Sequence, residues 1–120
     1  MIRRALVVDD YPDTAEVLSA LLQALGCETR FVLNGRDALA VAEEFDPDLV
    51  LVDLEMPDLD GFMLASALRE HELRHRALIA VSGWGGINVK FRAYWAGFDD
   101  HVVKPVGIQQ LRQIVAQSSL

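Results

Sequence analysis

Residues 48–61 read DLVLVDLEMPDLDG. Leu49 to Val52 are all aliphatic and lie between Asp48 and Asp53. A strand with one wet face alternates polar and apolar side chains, and this run does not. It suits a strand buried on both faces, as in a parallel sheet covered by helices. Pro47 punctuates the chain just before it, and Pro57, Asp60 and Gly61 mark a loop after it. Phe62 to Glu72 then takes up a helical period.

The same alternation extends in both directions. Towards the N-terminus, Arg4 to Val8 is a short aliphatic strand ending in Asp9-Asp10. Asp13 or Thr14 is a suitable helix cap, followed by Val17, Leu18, Leu21, Leu22 and Leu25 at helical spacing. Gly26 sits where a helix end wants a left-handed residue. Cys27 to Leu33 alternates, as an edge strand with a wetter face does, and Asn34-Gly35 reads as a turn. Arg36 to Phe45 is a helix with Ala38, Leu39, Ala42 and Phe45 inward. Towards the C-terminus, Ala77 to Val81 is an apolar strand, and Gly83, Gly85 and Gly86 loosen the loop after it. Val89 to Ala96 is a weaker, aromatic-rich helix, Asp100 to Val103 a fifth strand, and Ile108 to Gln117 the last helix.

Five strand–helix units of this kind predict an α/β fold with an open, doubly wound parallel sheet, since five are too few to close an eightfold barrel. Such sheets bind ligands beyond the carboxyl ends of their strands, where strand order reverses. The polar residues that interrupt the apolar strands all fall there: Asp9, Asp10, Asp53, Ser82 and Lys104.

Composition narrows the classes further. The 120 residues include 11 basic and 18 acidic side chains, a formal charge of −7. There is no basic surplus to neutralise phosphates, so direct nucleic-acid binding is not expected. No apolar run is long enough for a membrane span. Met1-Ile2-Arg3-Arg4 leads towards Asp9-Asp10 without a signal-like apolar segment, so a cytoplasmic setting is expected. The single cysteine, Cys27, excludes an internal disulfide and any multi-cysteine metal site, and is expected to be a packed or partly exposed small residue.

Three carboxylates at one sheet edge repel each other by roughly 1 kcal/mol per pair in water, and by about four times that where partly shielded. They call for a cation, and hard oxygen ligands suit Mg²⁺. A lysine and a hydroxyl beside a metal-bound carboxylate make a site for a phosphoryl group. With no serine–histidine relay and no cysteine nucleophile in evidence, the nucleophile would be a carboxylate.

At this point the sequence resembles a response-regulator receiver domain of two-component signalling. The resemblance runs over essentially the whole chain, residues 1–120, as one domain. It rests on Asp9-Asp10, on Asp53 within Val52-Asp53-Leu54-Glu55-Met56-Pro57, on Gly61, on Ser82, and on Lys104-Pro105. It implies a flavodoxin-like three-layer sandwich with strand order 2-1-3-4-5. Asp53 would be the phosphoacceptor. Asp10 and Asp53 would ligate Mg²⁺ directly, Asp9 mostly through water, and Glu55 through its backbone carbonyl. Ser82, supported by Gly83, would bind the phosphoryl group and move towards it. Lys104 would pair with a phosphoryl oxygen, and Pro105 would follow in a cis peptide that shapes the loop. His101 occupies the switch position, where the family usually has Tyr or Phe. Glu55 and Trp84 stand at positions that tune phosphoryl lifetime.

The implied partners are a histidine kinase or histidine phosphotransfer protein upstream and an output protein or domain downstream. The latter would read the surface of helix four, strand five and helix five. The resemblance fits a monomer or a phosphorylation-dependent dimer, standing alone or as one module of a longer regulator or hybrid kinase. The receiver would catalyse its own modification without being a turnover enzyme. A small phosphatase of the haloacid-dehalogenase type is the rival reading, but it wants a second Asp two residues after its nucleophile. Tyr11 follows Asp9 at that distance and Glu55 follows Asp53. A receiver-like module that is never phosphorylated is the third reading, against which the intact acidic set stands. His71, His75 and His101 are expected at the surface, Glu43-Glu44 as a solvated face, and the run Phe91, Tyr94, Trp95 and Phe98 as mostly core, with one or two exposed. Gly83-Trp84-Gly85-Gly86 lacks the spacing of a dinucleotide-binding loop.

Overall fold

The computed structural model describes residues 4–56, 60–70, 77–83 and 85–117. Five strands and five helices alternate along the chain: β1 (Arg4–Val8), α1 (Pro12–Ala24), β2 (Glu28–Val32), α2 (Gly35–Phe45), β3 (Leu49–Asp53), α3 (Gly61–Glu70), β4 (Ala77–Ser82), α4 (Ile87–Ala96), β5 (Asp100–Val103) and α5 (Ile108–Gln117). All neighbouring strands pair in parallel, in the order β2-β1-β3-β4-β5. The expected doubly wound sheet is present, with β2 at one edge and β5 at the other.

Strand alternation divides the core. Leu6, Val8, Val50, Val52, Leu78 and Ala80 point to one face and pack with residues of α2 and α3, and with Ala93 and Phe98 at α4. Ala5, Val7, Leu49, Leu51, Ile79 and Val81 point to the other and pack with α1 and α5 through Leu18, Leu22, Leu111 and Ile114. The central strand β3 is buried along its whole length, which is why it carries no alternation in sequence. Cys27 is buried in the second layer.

Several local expectations change. Helix α1 begins at Pro12, with Tyr11 as a cap residue whose side chain makes no capping bond. Proline lacks an N–H and its fixed φ suits the first helical position, so Asp13 and Thr14, the expected caps, fall inside the first turn. The inward stripe of α1 is Ala15, Leu18, Ser19 and Leu22; Val17 lies off it and is exposed. Gly26 does adopt a left-handed φ of 95° after the helix. Asn34 is a helix cap rather than part of a free turn: its Oδ1 accepts a 2.8 Å bond from the Asp37 N–H, and Gly35 opens α2. Asp60 likewise starts α3, its Oδ1 accepting from the Phe62 N–H at 2.8 Å. Gly61 therefore belongs to the first turn of α3. A Cβ there would lie 2.9 Å from Leu54 Cδ2, so the glycine lets α3 start against the end of β3. His71, Glu72 and His75 lie outside the described residues, as do Pro57 and Trp84.

Helix α4 departs furthest from expectation. It starts at Ile87, and Ala93 is its one buried residue. Phe91, Tyr94 and Trp95, with Ile87, lie on the side of the helix away from Ala93 and are exposed, Trp95 to 82%. Three aromatics, not one or two, are exposed, and only Phe98, beyond the helix, joins the core. The helical period of the aromatics is real, but it faces outward. His101 reverses the surface expectation. It lies on β5 opposite Ala80, so strand alternation turns it beneath α4, where it is buried. No helix among the described residues is long and apolar enough to cross a membrane.

Candidate functional site at the carboxyl edge of the sheet

The carboxyl ends of β1, β3, β4 and β5 meet at one rim, as the parallel register requires. Asp53 pairs with Val81 and Ser82 with Val103, which sets the tips of β3, β4 and β5 side by side. Asp9 follows β1, and its N–H donates to Val32 O, extending the pairing with β2 by one bond. The Leu54 N–H does the same towards Val81 O, and the Lys104 N–H towards Ser82 O. These bonds hold each polar side chain to a backbone already ordered by the core. The Lys104–Pro105 peptide is cis, as the resemblance implies.

Asp9, Asp10 and Asp53 converge, with one carboxylate oxygen from each lying within 4.8 Å of the others. Asp9 and Asp53 are buried, and Asp10 is more open. Asp9 Oδ1 accepts from the Tyr11 N–H at 2.9 Å, while Oδ2 is buried with no hydrogen-bond partner. An orphaned buried carboxylate oxygen beside two further carboxylates fits a hard divalent cation. Burial pushes the Asp9 carboxyl up to about 6. The Tyr11 N–H opposes that rise, the neighbouring Asp53 adds to it, and Lys104 opposes it.

Asp53 is held from two sides. Its Oδ1 accepts from the Glu55 N–H at 2.9 Å, and its Oδ2 faces Lys104 Nζ at 3.1 Å. Burial works against the Lys104 charge, but the bond to Asp53 and the charges of Asp53, Asp9 and Glu55 outweigh it. The lysine's pKa is raised overall, so the ammonium stays protonated.

Ser82 and Gly83 face the same space from the end of β4. From sequence Glu55 is expected to contribute a backbone carbonyl and to tune lifetime. The structure adds its carboxylate, whose Oε1 accepts from Ser82 Oγ at 3.2 Å and from the Gly83 N–H. Its Oε2 lies 3.8 Å from Lys104 Nζ. The sequence signal for this contact was only an acid two residues beyond Asp53. Gly83 permits it, because a Cβ there would lie 3.0 Å from Oε1.

The structure thus brings Asp9, Asp10, Asp53, Glu55, Ser82, Gly83 and Lys104 together, with Pro105 next to the lysine. His101 stands apart from the carboxylates, under α4, on the face of the sheet towards which Ser82 also points by strand alternation. Its Nε2 is buried without a partner, and burial lowers the imidazole pKa, with nearby Lys90 adding to the effect and Asp100 opposing it. Chemically, the rim offers a buried nucleophilic oxygen, an acidic cluster for a cation, and a hydroxyl, an amide and an ammonium for an anion.

A sequence profile described as "Response regulator receiver domain" matches residues 5–116. Hybrid signal transduction histidine kinase L of Dictyostelium discoideum is 34% identical over 122 residues, covering 96% of this chain and 7% of that protein. Regulatory protein AtoC of Escherichia coli K12 is 33% identical over 117 residues, covering 98% of this chain and 25% of that protein. The chain therefore spans a small part of these longer relatives. Among solved structures, a CheY-like response regulator receiver domain from Methylobacillus flagellatus superposes with a TM-score of 0.85 at 31% identity, covering 98% of this chain and 99% of that one.

Proposed function

The chain belongs to the response regulator receiver domain family, and on that footing we propose that Asp53 is the residue that receives the phosphoryl group. The observation that carries the assignment is its place: a buried carboxylate that ends the central strand, 3.1 Å from an ammonium and beside two further acids.

In this reading a histidine kinase or histidine phosphotransfer protein presents phosphohistidine at the rim. An Asp53 carboxylate oxygen attacks phosphorus in line. The new O–P bond forms as the P–N bond breaks, and the electron pair leaves with the imidazole, which takes up a proton. Lys104 neutralises one phosphoryl oxygen, while the Ser82 hydroxyl and Gly83 N–H donate to another. Asp9, Asp10 and Asp53, with the Glu55 carbonyl, would hold Mg²⁺, which supplies charge neutralisation for the transferring oxygens. The catalytic groups belong to the acceptor itself, so the receiver modifies itself once per cycle.

The added group carries about −1.5 to −2 charges at neutral pH. Ser82 would be drawn towards it, and His101, on the same face of the sheet and under α4, would respond. The output face would then be α4, β5 and α5, where Ile87, Phe91, Tyr94 and Trp95 already stand exposed. Phosphorylation shifts this face only by as much as it stabilises one arrangement over the other.

The test is intact mass after incubation with Mg²⁺ and acetyl phosphate. One acid-stable phosphate adduct is expected on the protein and none on Asp53→Asn. Equal labelling of the variant would displace Asp53 from this role. Continuous release of phosphate from generic esters would favour a phosphatase instead.

A further inference from the structure

The geometry points to Glu55 as a built-in competitor for the phosphoryl pocket, a carboxylate that occupies the anion-binding groups and must leave before a phosphoryl group can use them. This rests on the assignment of Asp53, Ser82 and Lys104 above, and it concerns a side chain that the assignment does not use.

Three donors converge on that carboxylate. Ser82 Oγ is 3.2 Å from Oε1, the Gly83 N–H donates to the same oxygen, and Lys104 Nζ is 3.8 Å from Oε2. A hydroxyl, a backbone amide and an ammonium are the set that a phosphoryl group on Asp53 would need. Lys104 also bonds the Asp53 carboxylate at 3.1 Å, and Ser82 and Gly83 follow directly on Val81, the register partner of Asp53. A carboxylate and a phosphoryl face cannot both accept from the one Gly83 N–H and the one Ser82 hydroxyl. Gly83 adds to the case, because a Cβ at that position would press within 3.0 Å of Oε1 and 3.5 Å of Oε2. The loop is therefore open at the point where an anion meets its amide.

Charge makes the competition direct. Asp9, Asp10, Asp53 and Glu55 already set four carboxylates against one nearby ammonium, Lys104. A phosphoryl group on Asp53 carries up to about two negative charges in place of that carboxylate's one, a net gain of about one, and like charges at this range repel. Glu55 is only partly buried, so an outward rotation returns its carboxylate to water without disturbing the core. Its departure breaks its bonds with the Ser82 hydroxyl and the Gly83 amide together. Glu55 thus favours the unloaded receiver and raises the threshold for loading.

Beryllofluoride, a tetrahedral phosphoryl mimic that attaches to a carboxylate, is the probe. It would be titrated with saturating Mg²⁺ into the protein, Glu55→Gln and Glu55→Ala, followed by the ¹H–¹⁵N resonances of Gly83 and Ser82. Gln keeps an acceptor but no charge, and Ala removes both. The expected result is tighter binding by roughly five- to tenfold in Gln and more in Ala, with the Gly83 amide already shifted in both variants before any addition. Affinity that is unchanged or weaker in both variants, while the unaltered protein saturates, would overturn the competitor role and leave the receiver assignment standing. Failure of all three proteins to bind the probe would overturn both.

Discussion

The ammonium of Lys104 lies 3.1 Å from the carboxylate of Asp53, joining the end of β5 to the end of β3 across the tip of β4. The bond holds the carboxylate in place, and it also sets the lysine in competition with any cation that the same carboxylate would bind. A charge at this distance is worth about 1 kcal/mol even at the dielectric of water. Lys104→Ala is therefore expected to bind Mg²⁺ about five- to tenfold more tightly by calorimetry, and to label from acetyl phosphate at least tenfold more slowly. Weaker Mg²⁺ binding in the variant would show that the lysine organises the acids rather than competing with the metal.

Asp9 gives the site a pH signature. Its carboxyl titrates near 6 in the fold against 3.8 for an ordinary aspartate. Between those values the folded protein keeps a proton that the unfolded chain has released. In chelator-treated protein this group's contribution to stability therefore falls as pH rises from about 4 to 6 and is level above that, by a total on the order of 1–3 kcal/mol. Denaturant melts across that range are expected to show the slope, and Asp9→Asn to flatten it. Added Mg²⁺ should stabilise the protein at pH 7 far more than at pH 5, where the cation must displace the proton.

The two aromatic environments around α4 are separable by stability. Phe98 is 2% exposed and Trp95 82%. Phe98→Ala is expected to cost about 3–5 kcal/mol in urea, whereas Trp95→Ala should stay within about 0.5 kcal/mol. A large loss in the Trp95 variant would mean that the outer face of α4 is covered in solution.

Arg69 ties α3 to the turn after α4. Its Nε donates to Gly97 O at 2.8 Å and its guanidinium meets Asp99 at 2.9 Å. Asp99 also accepts from the Leu78 N–H at 2.8 Å, so the tie reaches the start of β4. Arg69→Ala is expected to lose about 1–2 kcal/mol, mostly through the carbonyl bond, since the ion pair is partly solvated. Hydrogen exchange should quicken at Gly97 and Phe98 first.

Most of the architecture is legible before any coordinates, because β1, β3 and β4 are buried on both faces and leave unbroken aliphatic runs. The rim is legible for a related reason: a polar residue that ends such a run has few structural uses. What stays hidden depends on the neighbour. Asn34 and Asp60 are turn formers in either role, and only the N–H they meet makes them caps. The period of Ile87, Phe91, Tyr94 and Trp95 marks a helix face but carries no sign to say which way it points. His101 is polar in isolation, and its burial follows from α4 lying over β5. The carboxylate of Glu55 reaches Ser82 and Gly83 across 27 and 28 residues of chain, a distance no local pattern encodes.

The sheet that separates the two core layers also determines what a ligand at its rim can do. By strand alternation Asp9, Asp53 and Lys104 belong to the side of α1 and α5, while Ser82 and His101 belong to the side of α2, α3 and α4. A group held by Asp53, Lys104 and Ser82 together would straddle the partition and act as a clasp between the two halves. The same atoms that secure the ligand would then make the position of one helical layer answerable to the other.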